Sequence, residues 1–217
     1  MTSKPILNTL NRGLLVAVAI VTIAGFFLVP LDVSLPIHWN INGEPDNFAP
    51  APLAMLLPAV MAALVVGLLL ILRPAGLRRD FEAGRHAIDA AISIVLALAV
   101  LLGGATIAIG KGISVDMVRL IAFAMGAMLL VLGNYLPKTQ PNWIAGLRLP
   151  WTLRDPANWR LTHLWTGRLM MLGGVTALVA AAINPAPAVL LLAVLGCILL
   201  PLLAGIAISY TAARSRG

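Results

Sequence analysis

Six runs of mostly apolar residues, each about the length of a bilayer crossing, constrain this chain more than any other feature. They extend from Leu14 to Val29, Leu53 to Leu72, Ile88 to Ile109, Val115 to Leu136, Leu169 to Ile183 and Ala188 to Tyr210. A helix needs about 20 such residues to cross the hydrocarbon. Only 11% of the 217 residues are charged and 60% are hydrophobic, with a mean hydropathy of +0.98. A soluble domain carries roughly 25% charged residues and could not cover its surface with fewer than half of them. The expected fold class is an all-α membrane protein of six transmembrane helices. The first run follows a basic N-terminus, but it is long and no A-x-A cleavage site follows it, so it is expected to remain as a span.

The loops set the expected orientation. Six spans place both termini on one side, together with thirteen of the fifteen basic residues; Lys111 and Arg119 alone fall on the other. Basic loops stay cytoplasmic, so both termini are expected there, in the cell membrane. The net charge of +7 is spread over four segments beside bilayer, and direct nucleic-acid binding is not expected. The lone Cys197 lies in an apolar run and cannot form an internal disulfide. No CxxC, HExxH or pair of mid-span aspartates occurs, and no cofactor or metal is expected.

Inside the spans, Asp89 is the one carboxylate held in reserve as a functional suspect. Asp116 and Arg119, three apart, are expected to neutralise each other on one helix face. Gly173 with Ala177, and Gly205 with Ser209, have the spacing of close helix packing. Pro58 and Pro201 interrupt the second and sixth spans and imply a kink or a break.

Two loops stand out. In the extracytoplasmic one, Asn42-Gly43 is a tight-turn signal that would fold His38 toward Glu44 and Asp46. His38, Trp39, Asn40, Gly43 and Asp46 are the candidate binding residues there. One histidine and two loosely spaced carboxylates are a poor metal set. The cytoplasmic loop, Pro137 to Arg168, is too long for a simple connection. Pro137, Pro141 and Pro150 keep its first part extended and turned. Asp155-Pro156 then reads as an N-cap and first turn. Ala157, Leu161, Leu164 and Trp165 form the apolar stripe of an interfacial helix that leads into the fifth span, with Arg160 and His163 on another face. Trp143, Trp151, Trp159 and Trp165 have the composition of an interfacial aromatic belt, with membrane lipids as the partner.

The segment GNYLPKTQPNWIAGLRLPWTLRDPANWRLTH, Gly133 to His163, resembles the signature of SdpI-type membrane proteins. Asn134, Lys138, Asn142, Gly146, Arg148, Trp151, Thr152, Trp159 and His163 fall on that pattern; Leu164 stands where the family usually has arginine. The outer PIHWNINGEPD resembles a small domain of unknown function that often precedes the SdpI region. The resemblance divides the chain into residues 1–87, with the outer loop, and 88–217, with the inner loop 137–168. It implies immunity to an extracellular peptide toxin and signalling by recruitment of a cytoplasmic repressor. Asn134, Lys138, Asn142, Gly146, Arg148, Trp151, Thr152, Arg154, Trp159 and His163 would then meet the cytoplasmic partner. Both loops carry a tryptophan shortly before a glycine, as an inverted 3+3 pseudo-repeat would give, and this supports a small-solute or lipid transporter as an alternative. A membrane enzyme using His163 and Asp155 is a third class, which no recognisable catalytic constellation supports.

Overall fold

A computed structural model describes residues 7–72 and 77–215. Lys4, Arg73 and Arg216, three of the thirteen basic residues expected on the side of the termini, lie outside the described residues. The six apolar runs are helices: α1 (Thr9–Leu28), α2 (Ala51–Leu72), α3 (Arg78–Gly110), α4 (Met117–Tyr135), α6 (Pro156–Ile183) and α7 (Pro187–Arg214). A β-hairpin of β1 (Ser34–Trp39) and β2 (Pro45–Pro50) joins α1 to α2, and a short α5 (Pro150–Arg154) lies in the long loop. All six long helices have the length and composition to cross a membrane, and the chain is a multi-pass membrane protein.

Several helices begin well before their apolar runs. α3 has 33 residues and α6 has 28, so at 1.5 Å per residue they reach roughly 50 and 42 Å, against a hydrocarbon thickness of about 30 Å. Their polar first turns continue past the hydrocarbon on the side of the long loop. The interfacial stretch leads into the fifth span without a break, because α6 runs continuously from Pro156 to Ile183. Residues 87 and 88 lie within α3. Pro58 and Pro201 also sit within unbroken helices, which sets aside a broken, ligand-binding helix at either.

Packing divides the bundle into two groups of three. α3 packs on both α1 and α2, and α6 packs on both α4 and α7. The third helix of the chain is the hub of the first group, but the second helix of the second half is the hub there, so an inverted repeat in chain order is not reproduced in the packing. Glycine lets α4 and α6 approach closely. A Cβ at Gly133 would lie 2.6 Å from the Gly167 carbonyl oxygen, and one at Gly174 would lie 2.8 Å from that of Gly126. Without a hydrophobic drive between helices in lipid, such small-residue contacts carry much of the association. Gly173 serves the same purpose toward α7, where its Cβ would meet the Cys197 carbonyl oxygen.

Arg119 does not neutralise Asp116. The Asp116 side chain caps α4, accepting from the Arg119 backbone N–H at 3.0 Å. The Arg119 guanidinium crosses to the end of α6 and donates to the carbonyls of Ala181 (2.9 Å) and Ala182 (3.4 Å). The last carbonyls of a helix lack intrahelical partners, and a cation there also meets the negative end of the helix dipole.

Candidate functional site

The loop between α4 and α6 forms a compact pad on the projecting ends of α3, α6 and α7. Its first anchor is Asn142, which is 1% exposed. The Asn142 Nδ2 donates to the carbonyls of Gln140 (2.7 Å) and Ala145 (3.1 Å), and its Oδ1 accepts from the N–H groups of Ile144 (2.9 Å) and Ala145 (2.7 Å). These four bonds use both donors and both lone-pair directions of the amide. The side chain lies against Gly84 of α3, where a Cβ would sit 3.0 Å from the Asn142 Oδ1. Two further bonds tie the loop to α3: Gln140 N–H donates to the Ala83 carbonyl (2.9 Å), and Trp143 N–H donates to Asp80 Oδ1 (2.8 Å).

The second anchor is His163, fully buried on α6. Its Nε2 accepts from the Leu147 N–H at 2.9 Å. That leaves the proton on Nδ1, which donates to the Trp159 carbonyl at 2.7 Å. A neutral imidazole with one defined tautomer satisfies both contacts. The ring stacks on Trp159 at 4.0 Å between centroids. The Trp159 Nε1–H in turn reaches the Thr139 carbonyl (3.1 Å) and hydroxyl (3.2 Å). Gly146 is needed where the loop passes over this ring. Its φ is 114°, and a Cβ there would collide with His163 Nε2.

α7 supplies the third anchor through Ser209, also fully buried. The Trp151 indole N–H donates to the Ser209 hydroxyl (3.0 Å), and Asn158 Nδ2 donates to the Ser209 carbonyl (2.9 Å). The Thr162 hydroxyl then donates to Asn158 Oδ1 at 3.0 Å. Buried polar groups need such partners, since leaving one unmet costs about 1–3 kcal/mol. Ser209 is therefore a hydrogen-bond node as well as a small residue at a helix contact. Thr152 closes the turn before α5: it accepts from Leu149 N–H at 3.0 Å and lies 2.7 Å from the Leu147 carbonyl oxygen. Asp155 caps α6 by accepting from Ala157 N–H at 2.8 Å, as the Asp-Pro pair implies.

The pad divides its residues into scaffold and surface. Asn142, Thr152, Trp159 and His163 are buried and bonded internally, and Gly146 serves backbone shape. Lys138, Arg148 and Arg154 are exposed, with Arg148 donating to the Trp143 carbonyl at 2.6 Å and Lys138 lying 4.4 Å from the centre of the Tyr135 ring. Trp143 is 64% exposed. Asn134 is exposed on α4, away from the pad's hydrogen bonds, in a groove between the helix groups. Trp159 and Trp151 are thus structural, and an aromatic belt is left to Trp143 and Trp165. Ala157 and Trp165 face out and Leu161 and Leu164 lie half-buried, while Asn158, Thr162, His163 and Thr166 are buried. A hollow of about 760 Å³ opens between the loop and the first turns of α6, lined in part by Lys138, Gln140, Pro141, Trp159, Arg160 and Leu161.

At the opposite end the hairpin folds as its turn signal implies. Gly43 has φ 80° and its N–H donates to the Asn40 carbonyl at 2.9 Å. The Asn40 Oδ1 accepts from Asn42 N–H (2.9 Å) and Glu44 N–H (3.1 Å), which fixes the turn. His38 Nδ1 and Asp46 Oδ1 stand 2.5 Å apart across the strands, whereas Glu44 meets the Asn40 amide instead. No group of three metal-ligating side chains occurs among the described residues. The turn lies over the second helix group: a Cβ on Gly43 would be 3.1 Å from Pro187 at the start of α7 and 3.6 Å from Val118 of α4.

Both loops coincide with regions shared with other proteins. Residues 138–211 match the SdpI/YfhL protein family, and residues 13–62 match a domain of unknown function, DUF1648. The family match begins at the pad and runs through the Ser209 node. The DUF1648 match holds most of α1, the hairpin and about half of α2. Over 145 residues the chain is 25% identical to the immunity protein SdpI of Bacillus subtilis (strain 168), a match that spans 66% of this chain and 67% of that protein. No solved structure matches it.

Proposed function

We propose that this protein gives immunity to an extracellular antimicrobial peptide and signals by holding a cytoplasmic regulator at the pad. The observation that carries the proposal is the coincidence of the SdpI/YfhL match with the whole pad scaffold, from Lys138 to Ser209, together with a relative named for immunity. The positive-inside pattern supports a cytoplasmic pad and an extracytoplasmic hairpin. In this arrangement His38, Trp39, Asn40, Gly43 and Asp46 serve the peptide-facing side. Lys138, Arg148, Arg154, Arg160 and Trp143 offer a basic and aromatic face to an acidic segment of the regulator. Asn142, Gly146, Thr152, Trp159 and His163 hold that face in shape. A binding surface built on buried, fully bonded residues needs little ordering when its partner arrives, which favours affinity.

α7 connects the two ends physically. Its first residue, Pro187, lies under the hairpin turn, and Ser209 near its other end holds Trp151 and Asn158. A peptide that shifts the hairpin would move the pad through one rigid helix, provided it binds the two arrangements with different affinity. The test is survival of a sensitive host under a membrane-active killing peptide. Cells that express the protein are expected to outlive cells carrying an empty vector. Equal killing at matched membrane expression would remove the immunity reading.

A further inference from the structure

The seam between the two helix groups holds a groove of about 990 Å³. This is the upper end of the roughly 300–1,000 Å³ typical of small-ligand sites. Its floor is low because α3 and α4 present alanines there: Ala90 and Ala97 face Ala124 and Ala127. Its rim is open to the side, with Leu10, Leu101 and Val131 exposed. An open apolar slot at this depth faces acyl chains.

One end of the slot is polar. His86, Asp89 and Ser93 line it from α3, with Asn134 and Tyr135 from α4 and Asn8, the N-cap of α1. A second hollow of about 410 Å³ adjoins this end and shares Asn8, His86 and Asp89 with it; Arg12 and Arg85 complete its wall. The apolar run of α3 starts at Ile88 and that of α4 ends near Leu136, so the polar mouth sits at the depth of lipid headgroups. It carries both signs of charge. Asp89 Oδ2 lies 3.4 Å from Arg85 Nε, while Arg85 also reaches Glu82 at 3.3 Å. A carboxylate has about four lone-pair sites, so Asp89 can accept further donors.

We propose that this groove binds one aminophospholipid of the surrounding bilayer, its chain along the alanine floor, its phosphate at Arg12 and its ammonium group at Asp89. A purely anionic headgroup would face the Asp89 carboxylate with no cation to offer it. A trimethylated amine would match the charge but has no N–H to donate. The site is independent of the immunity reading and is filled whether or not a peptide or regulator binds.

The test is native mass spectrometry of the full-length protein extracted in mild detergent and offered phosphatidylethanolamine, phosphatidylcholine and phosphatidylglycerol in equal amounts. The ethanolamine lipid is expected to be retained in preference to both others. The Asp89→Asn variant, nearly isosteric, is expected to lower that preference by about tenfold, the scale of one hydrogen bond to a charged group. Ala97 and Ala127 are exposed in the groove, so Ala97→Phe and Ala127→Phe fill it without crowding the core. Each is expected to abolish retention, while Val179→Phe, on an outward face of α6, leaves it unchanged. Thermal unfolding of each variant confirms that the fold is kept. Preference for the glycerol or choline lipid, equal retention by Asp89→Asn, or full retention by both phenylalanine variants would overturn the proposal.

Discussion

Replacing Gly146 by alanine should melt the pad and leave the bundle standing. Two costs act together. At φ 114°, an L-residue is held in a region that costs of order 1–3 kcal/mol. The new Cβ would also collide with His163 Nε2 and come within 3.2 Å of the Trp159 ring. Moving His163 leaves the Leu147 N–H unpaired, a further cost of about 1–3 kcal/mol. The sum, about 2–6 kcal/mol, is large against the roughly 5–15 kcal/mol that holds a whole domain. It falls on a segment fastened by a handful of side-chain bonds, so local opening is the cheapest response. Hydrogen–deuterium exchange in nanodiscs reads this directly. Peptides covering residues 140–155 should exchange at least about 30-fold faster in Gly146→Ala, by the factor of ten per 1.4 kcal/mol, while α4 and α7 keep wild-type protection. Gly104→Ala is the matched control. Nothing lies within 4 Å of its Cβ position, and alanine in a helix interior is favoured over glycine by about 0.5–1 kcal/mol. Unchanged pad exchange in Gly146→Ala, or a loss shared by every helix, would refute the reasoning.

Three further perturbations follow from the same contacts. Asn142→Ala leaves two half-buried N–H groups and two carbonyls without their side-chain partner and should cost about 2–4 kcal/mol, read as faster exchange at Ile144 and Ala145 with the contact to Gly84 lost. Trp151→Phe keeps an aromatic ring but removes the indole N–H bonded to Ser209 and part of the packing against Tyr210; at least about 1 kcal/mol is at stake, so exchange over residues 149–154 should rise at least roughly fivefold. Gly167→Ala puts a Cβ 2.5 Å from the Gly133 carbonyl and 2.8 Å from Pro137; the forced separation of α4 and α6 should cost about 1–3 kcal/mol and lower the thermal midpoint, whereas Gly196→Ala, in open space, should not.

The sequence makes the spans and several local signals legible because each depends on near neighbours. Apolar run length marks all six helices, Asn42-Gly43 marks the hairpin turn, and Asp155-Pro156 marks the start of α6. The approach of His38 to Asp46 follows from the turn alone. What the sequence hides is the direction side chains face when lipid is the outer solvent. A stripe of Ala157, Leu161, Leu164 and Trp165 is a core face in water; here its ends face outward and the polar Asn158, Thr162 and His163 turn inward, because their hydrogen bonds must be met inside the protein. Helix ends are hidden for a related reason. The first turns of α3 are polar and read as loop, yet long-range partners make them helix and fasten the pad to them, as Asp80 does with the Trp143 N–H. Arg119 shows the limit of spacing arguments. Its neighbour Asp116 is three residues away, but the carbonyls it caps are more than sixty residues on. The Ser209 node, a single serine in an apolar helix, carries no sequence signal beyond its departure from the apolar run.

The central claim is that the pad is a preformed platform for a cytoplasmic protein. It is tested most directly by placing a photo-crosslinking amino acid at Trp143, the most exposed aromatic of the pad, in cells that make the protein at native level. The account predicts a crosslink to a soluble DNA-binding regulator, lost in Arg148→Ala with Arg154→Ala while pad exchange stays at the wild-type rate. Crosslinks to lipid alone, or a protein crosslink indifferent to both arginines, would contradict it.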